Sequence, residues 1–480
     1  MDDLRRRAAG GAASLGARSA FGLAVAVGGN IVLAHLLDPR DFGLVALGAT
    51  ILLAGNYIAA GGLGVALVGR REAPARRELQ AITGVQLAVA CALTAACAAV
   101  AWPLGTDALV PAVMVAALPF VTLRVPQQIM LERELAFRTI ALVDVVEIVV
   151  QYAWAIGTVA AGAGVWGFAS AAIVRTAVGT ATMIRLGPLG FLPPRWGWRE
   201  VRPLFGFGLR YQGVSLVDVS RDQTLNFGIT AVAGVAVLGI WSLAFRILQV
   251  PLAVLVNLYR VSYPAMAKLL AAERDPRSAM ERTAALTAAA IAVAAVGIVG
   301  GAPALVPAVL GDRWADVSDI IAVFAAGLAF SGPIAAGALG WLYASGDAGA
   351  VLRASALHAV VLLATALALL PIVGVVAVGI GWLAASLVNG TVLASAARRG
   401  TGARLVRALA VPSGLGLAAG GLGWAVSTAG SGAALGVASL ALAETVLIVG
   451  MWLLCGDVLR SGRALLAQGL SEARPRRRRA

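Results

Sequence analysis

Apolar runs follow one another along the whole chain, broken by short polar segments, and a bilayer-spanning helix needs about 20 such residues. On that measure about fourteen spans are predicted, over 13–37, 42–67, 79–102, 108–130, 138–160, 164–186, 204–227, 236–263, 282–308, 316–343, 348–370, 374–396, 405–427 and 433–455. The arginine-rich breaks at 5–7, 70–77, 133–138, 185–202, 268–282, 398–407 and 460–479 all fall before the first run or after even-numbered ones. Short loops rich in Arg and Lys stay on the cytoplasmic side. An even count therefore places both termini in the cytoplasm and leaves 38–41, 162–164 and 373–374 outside, with Arg40 and Arg313 as the clearest basic residues there.

The expected fold is an all-α integral membrane protein. The longest break holds Pro188, Pro193, Pro194 and Trp196 and reads as a cytoplasmic linker, 187–203, between a six-helix lobe at 1–186 and a second at 204–397. Two additional helices over 398–459 and a basic tail over 460–480 complete the plan. A short internal echo supports a repeat: Phe42-Gly-Leu-Val-Ala-Leu47 opens the second run of one lobe and Leu238-Gly-Ile-Trp-Ser-Leu243 that of the other. Halves with an even number of spans share orientation, so these would be parallel repeats.

Composition agrees with a bilayer as solvent. The chain is 60% hydrophobic with mean hydropathy +0.88 and 13% charged residues, against about 25% charged in an average soluble domain. Its net charge of +14 is parcelled into the breaks. Nucleic-acid binding is not expected, because that needs a basic stripe on one folded face. Cys91, Cys97 and Cys455 all lie inside apolar runs and match neither a disulfide framework nor a zinc site. The first run is longer than a signal-peptide core and reads as a retained span.

Ionisable residues inside spans are costly and mark function by default. In the eighth run Arg246, Gln249, Asn257 and Arg260 fall within an arc of about 80° at 100° per residue. In the fifth, Asp144, Glu147 and Gln151 form a second stripe, and Arg175 in the sixth lies at about the depth of Glu147, so the two are expected to pair. The seventh carries Arg210 and then Asp218, Arg221 and Asp222, spaced for local pairing. Arg18 and Arg124 lie nearer the cytoplasmic end, where snorkelling competes with a cavity role. His358 and Glu444 sit mid-span in the eleventh and fourteenth runs, where packing is the plainer role for each. Across the first twelve runs cations outnumber anions, which favours an anionic cargo, and guanidinium forks suit phosphate oxygens.

Lys268 is the sole lysine and no Gly-x-x-x-x-Gly-Lys surrounds it, so an ATP-binding P-loop is absent from the chain. No HExxH, GxSxG or Cys/His cluster appears either. The expectation is a transporter without cofactor or metal, not an enzyme.

The segment from Ala34 to Leu47, the run Leu131-Glu-Arg-Glu-Leu-Ala-Phe137, Asp222 to Gly228, and Leu238 to Arg246 followed by Pro251 together resemble the oligosaccharide flippases of bacterial polysaccharide export, the Wzx or polysaccharide-transporter type. That superfamily also holds multidrug/toxin extruders and the peptidoglycan precursor flippase. The resemblance covers about the first 270 residues well. It implies two six-helix lobes around a central cavity, alternating access, a bacterial cytoplasmic membrane, and polyprenyl-pyrophosphate-linked repeat units as cargo. Membrane lipids, the polysaccharide polymerase and the chain-length machinery are the further partners it suggests. By position Asp222 matches the family's seventh-helix Asp and Arg246 its eighth-helix basic residue, whereas His35 stands where relatives often carry Arg.

On these grounds Arg210, Arg246, Arg260, Arg18 and Arg124 are expected to bind cargo, and Glu147, Arg175, Asp144, Asp218, Arg221 and Asp222 to form gating or ion-pair contacts. The alternatives are a cation-coupled multidrug exporter of the same architecture and a non-transporting scaffold for polysaccharide assembly.

Overall fold

The computed structural model describes residues 21–68, 70, 72–458 and 460; for 65, 66, 205–216, 218, 253, 254, 256–261 and 263–265 only the backbone is described. Every regular element among the described residues is helical. Eleven stretches are long and apolar enough to cross a membrane. One of them, Phe137–Leu186, spans 50 residues and folds as two helices that meet at a turn where Gly162 takes φ 93°. A shorter apolar helix, Phe21–Leu36, precedes them. The chain is a multi-pass membrane protein; among the described residues the count of fourteen is not fixed.

The chain divides into two compact units, Met1–Leu243 and Ala244–Ala480. The first contains α1 (Phe21–Leu36), α2 (Pro39–Ala60), α3 (Leu63–Val68), α4 (Arg76–Ala101), α5 (Thr106–Val115), α6 (Leu118–Leu123), α7 (Val125–Arg133), α8 (Phe137–Thr158), α9 (Gly164–Leu186) and α10 (Trp198–Ala233). The boundary falls inside α11 (Val235–Ala271). The second unit continues with α12 (Arg277–Val299), α13 (Ala302–Leu310), α14 (Asp316–Ala344), α15 (Ala348–Val373), α16 (Val376–Thr401), α17 (Leu405–Ser427) and α18 (Ala433–Leu454).

Local sequence sets the helix ends. Pro39 occupies the first turn of α2, where its missing N–H costs nothing, and the Asp38 N–H donates to the Asp41 carboxylate at 3.3 Å. At α4 the Ala75 N–H donates to Glu78 at 2.9 Å, and Arg70 pairs with the same carboxylate at 2.9 Å. The expected fourth span is not one helix. Turns at Ala116–Ala117 and Arg124, next to Pro119 and Pro126, divide it into α5, α6 and α7, because proline removes a backbone donor and crowds the preceding turn.

In the first unit α8 and α9 form a tight antiparallel pair, with α2 and α5 packed beside α9. The echo seen in the sequence is a contact in space. A methyl at Gly239 would overlap the Pro39 carbonyl, and one at Gly43 would overlap the carbonyl of Val235, so the two Gly-bearing segments pass backbone against backbone. In the second unit α14 is the most enclosed helix, packed by α12, α16 and α17. Its buried residues include Ala325, Gly327, Ala329, Gly332, Ala335 and Ala336, and small residues let membrane helices approach closely.

Candidate functional site: a charged cluster around Glu147

Glu147 is 4% exposed, on the face of α8 that meets α9. Its two carboxylate oxygens take different partners. Arg124 Nη1 donates to Oε1, and Arg175 Nε lies 3.2 Å from Oε2. Arg175 Nη1 also donates to Gln151 Oε1 at 2.9 Å, which ties the next turn of α8 into the cluster. The carboxylate has room because Gly179 stands opposite, one turn beyond Arg175 on α9; any side chain there would overlap Glu147.

Arg124 reaches Glu147 from the break between α6 and α7. Its Nε is buried and, among the described residues, has no hydrogen-bond partner. Thr180 of α9 donates to the Phe120 carbonyl of α6 at 2.8 Å and fixes that broken segment beside the cluster. One turn further along α8, Tyr152 OH accepts from Asn30 Nδ2 of α1 at 2.9 Å, while the same amide donates to Ala26 O at 2.6 Å. Three segments of the first unit, α8, α9 and the α6–α7 break, therefore converge on one carboxylate, and α1 joins through Tyr152.

Removing one partner from a buried ion pair leaves the other charge uncompensated, at a cost of about 3–5 kcal/mol. The stability of the cluster therefore depends on all its members. The Arg175 side chain is 42% exposed while that of Glu147 is 5% exposed, so one guanidinium keeps an accessible side.

The other residues singled out by sequence lie elsewhere or outside what is described. Asp144 is one turn from Glu147 on α8. Arg221 Nε donates to the neighbouring Asp222 of α10 at 2.8 Å. Arg246 is half-buried on α11, and among the described residues its side chain makes neither an ion pair nor a hydrogen bond. Arg210, Asp218 and Arg260 belong to α10 and α11, with side chains outside those described, and Arg18 is outside the described residues. Arg124, expected among the cargo-binding arginines, donates its Nη1 to Glu147.

His358 is buried against Trp382, ring centroids 5.2 Å apart and nearly perpendicular, and Trp382 stacks on Phe324 at 4.3 Å. It belongs to an aromatic packing cluster. Glu444 of α18 faces Gly297 of α12. A cavity of about 410 Å³ among α12, α14, α16 and α17 is lined by Ala, Val, Leu and Gly with Trp424 and holds no charged group, so it offers nothing to a phosphate.

Several working residues escaped the sequence reading. Gly179 is the clearest, although its place one turn from Arg175 was a usable signal. Arg133, given no structural role in the sequence reading, donates to the carbonyls of Leu67, Arg70 and Glu72 at 2.6, 2.7 and 3.1 Å and closes the C-terminal end of α3. A cation there also complements the helix dipole.

Comparison with known proteins supplies the fold and the family. The inward closed conformation of the lipid II flippase MurJ superposes with a TM-score of 0.70 at 10% sequence identity, covering 92% of this chain and 99% of that one. An inward-facing multidrug resistance MATE family transporter of the MOP superfamily gives 0.55 at 16% identity, covering 80% and 95%. At such identities the likeness shows a shared fold. No curated protein sequence matches the chain. The family model described as "Polysaccharide biosynthesis protein" matches residues 32–319, more than half of the 480 residues. With the MurJ- and MATE-like helical fold already in place, that match makes the chain a member of the polysaccharide biosynthesis protein family.

Proposed function

We propose that the protein moves polyprenyl-pyrophosphate-linked oligosaccharide repeat units across the cytoplasmic membrane by alternating access, with no chemistry of its own. The observation that carries the reading is Arg246. It is half-buried within an apolar span and, among the described residues, has no counter-ion. An ionised group at such depth is expensive unless it meets an opposite charge, and a pyrophosphate supplies one that also matches the guanidinium fork. A cationic drug would add repulsion instead.

Family membership and the MurJ-like fold support a lipid-linked cargo. In this reading the Glu147 cluster acts within the first unit as a latch, holding α8, α9 and the α6–α7 turn in one arrangement until an anion competes for Arg175. Arg18, Arg124, Arg210 and Arg260 complete the proposed cation set, and Asp144, Asp218, Arg221 and Asp222 the proposed ion-pair set.

Reconstitution tests this. Proteoliposomes loaded in one leaflet with a fluorescent polyprenyl-pyrophosphate glycan should expose it to an external, membrane-impermeant glycosidase only when the protein is present, and Arg246→Gln should remove that exposure. Equal exposure with the variant, or efflux of a cationic dye without glycan movement, contradicts the reading.

A further inference from the structure

We infer that Gly187–Gly197 and the first turn of α10 form a docking surface for the anionic phospholipids of the leaflet they face. The inference rests on the membrane reading above and assigns a role to a segment the sequence presents as a mere connector.

The segment is held in place. Gln127 of α7 binds it twice: Nε2 donates to the Gly190 carbonyl, and Oε1 accepts from the Leu189 N–H at 3.2 Å. The Arg195 N–H donates to the Gln80 carbonyl of α4 at 3.0 Å. Leu192 is buried, and Leu189 packs against the cluster of Leu79, Ile82, Ile129 and Val201. The backbone is therefore fixed on α4 and α7, and what it presents outward is set by the fold.

What it presents is aromatic and basic. Phe191, Trp196 and Trp198 are 61%, 66% and 47% exposed. Arg195, Arg199 and Arg202 alternate with them, all exposed, and Arg185 precedes them in the last turn of α9. Four arginines against Glu200 give residues 185–203 a net charge of +3, four minus one. Large rings with amphipathic character collect at the headgroup level of a membrane, and clustered arginines beside a span bind anionic headgroups. Rings and guanidinium groups held on one docked segment match the layered chemistry of acyl chain and phosphate. A protein partner would find only one carboxylate in the patch to pair with.

The test uses the full chain in detergent, with thermal unfolding followed as phosphatidylglycerol or phosphatidylcholine is added. Phosphatidylglycerol should raise Tm more than phosphatidylcholine does. The triple variant Arg195→Gln, Arg199→Gln, Arg202→Gln should lose at least half of that difference, as should the wild type at about 1 M salt, where the Debye length is about 3 Å. A second measurement does not depend on those arginines. In nanodiscs made with brominated phosphatidylglycerol, wild-type Trp emission should be quenched more strongly than that of Trp196→Phe/Trp198→Phe. A triple variant that keeps the full lipid effect, or equal quenching of the two proteins, overturns the surface. Neither readout involves cargo, so a wild-type protein that moves the glycan but shows no preference for phosphatidylglycerol sinks this inference alone, and one that shows the preference but moves no glycan sinks the cargo reading alone.

Discussion

A methyl group on Gly179 would occupy the space of the Glu147 carboxylate. The glycine on α9 and the acid on α8 are thus one device: the absent side chain is what lets Glu147 stand between Arg124 and Arg175. Gly179→Ala should displace the carboxylate and reproduce the effect of Glu147→Gln, at a cost of about 1–3 kcal/mol for overpacking. Thermal unfolding in detergent reads this. A Gly179→Ala protein as stable and as active as wild type would show that the carboxylate is free to move.

Arg124 and Glu147 should be energetically coupled. Single substitutions Glu147→Gln and Arg124→Gln each leave a charge without its partner, whereas the double variant removes both. A double-mutant cycle on Tm is expected to show a coupling of about 0.5–3 kcal/mol. Strict additivity would place the two groups in separate environments.

Gly43 and Gly239 are expected to tolerate no side chain. The atoms they face are backbone carbonyls of Val235 and Pro39, which cannot swing aside as a side-chain tip can. Gly239→Ala should lower the yield of folded protein and its Tm, while Ala substitution at the nearby Ser242, which only donates to the Gly239 carbonyl, should change little. Equal effects from the two would contradict the close crossing.

Gln127→Ala should release the docked segment. Both its hydrogen bonds to 189–190 are lost, each worth about 1 kcal/mol, so hydrogen exchange across 187–197 should accelerate while the α8–α9 pair keeps its protection. Unchanged exchange would mean that Leu189 and Leu192 hold the segment without help.

The sequence made some of this readable and hid the rest for physical reasons. Helical rise alone placed Arg175 at the depth of Glu147, since both lie on unbroken helices where counting residues measures distance. That Arg124 also reaches Glu147 was not readable by counting, because the turns around Ala116 and Arg124 interrupt the fourth run. The linker was read from Pro188, Pro193 and Pro194 as a tether, yet its backbone is bound by Gln127 and Gln80, and such long-range side-chain and backbone contacts have no periodicity to betray them. The echo at Gly43 and Gly239 was visible as similarity, whereas its packing of one segment against the other was not.

The central claim is that an anionic, lipid-linked glycan is the cargo and that Arg246 receives its phosphates. The most direct measurement follows the leaflet location of lipid-linked repeat units in cells that carry only the Arg246→Gln protein, at normal protein level. These units should accumulate on the cytoplasmic leaflet and surface polysaccharide should fall to the level of a depleted strain. Normal translocation in those cells would contradict the account.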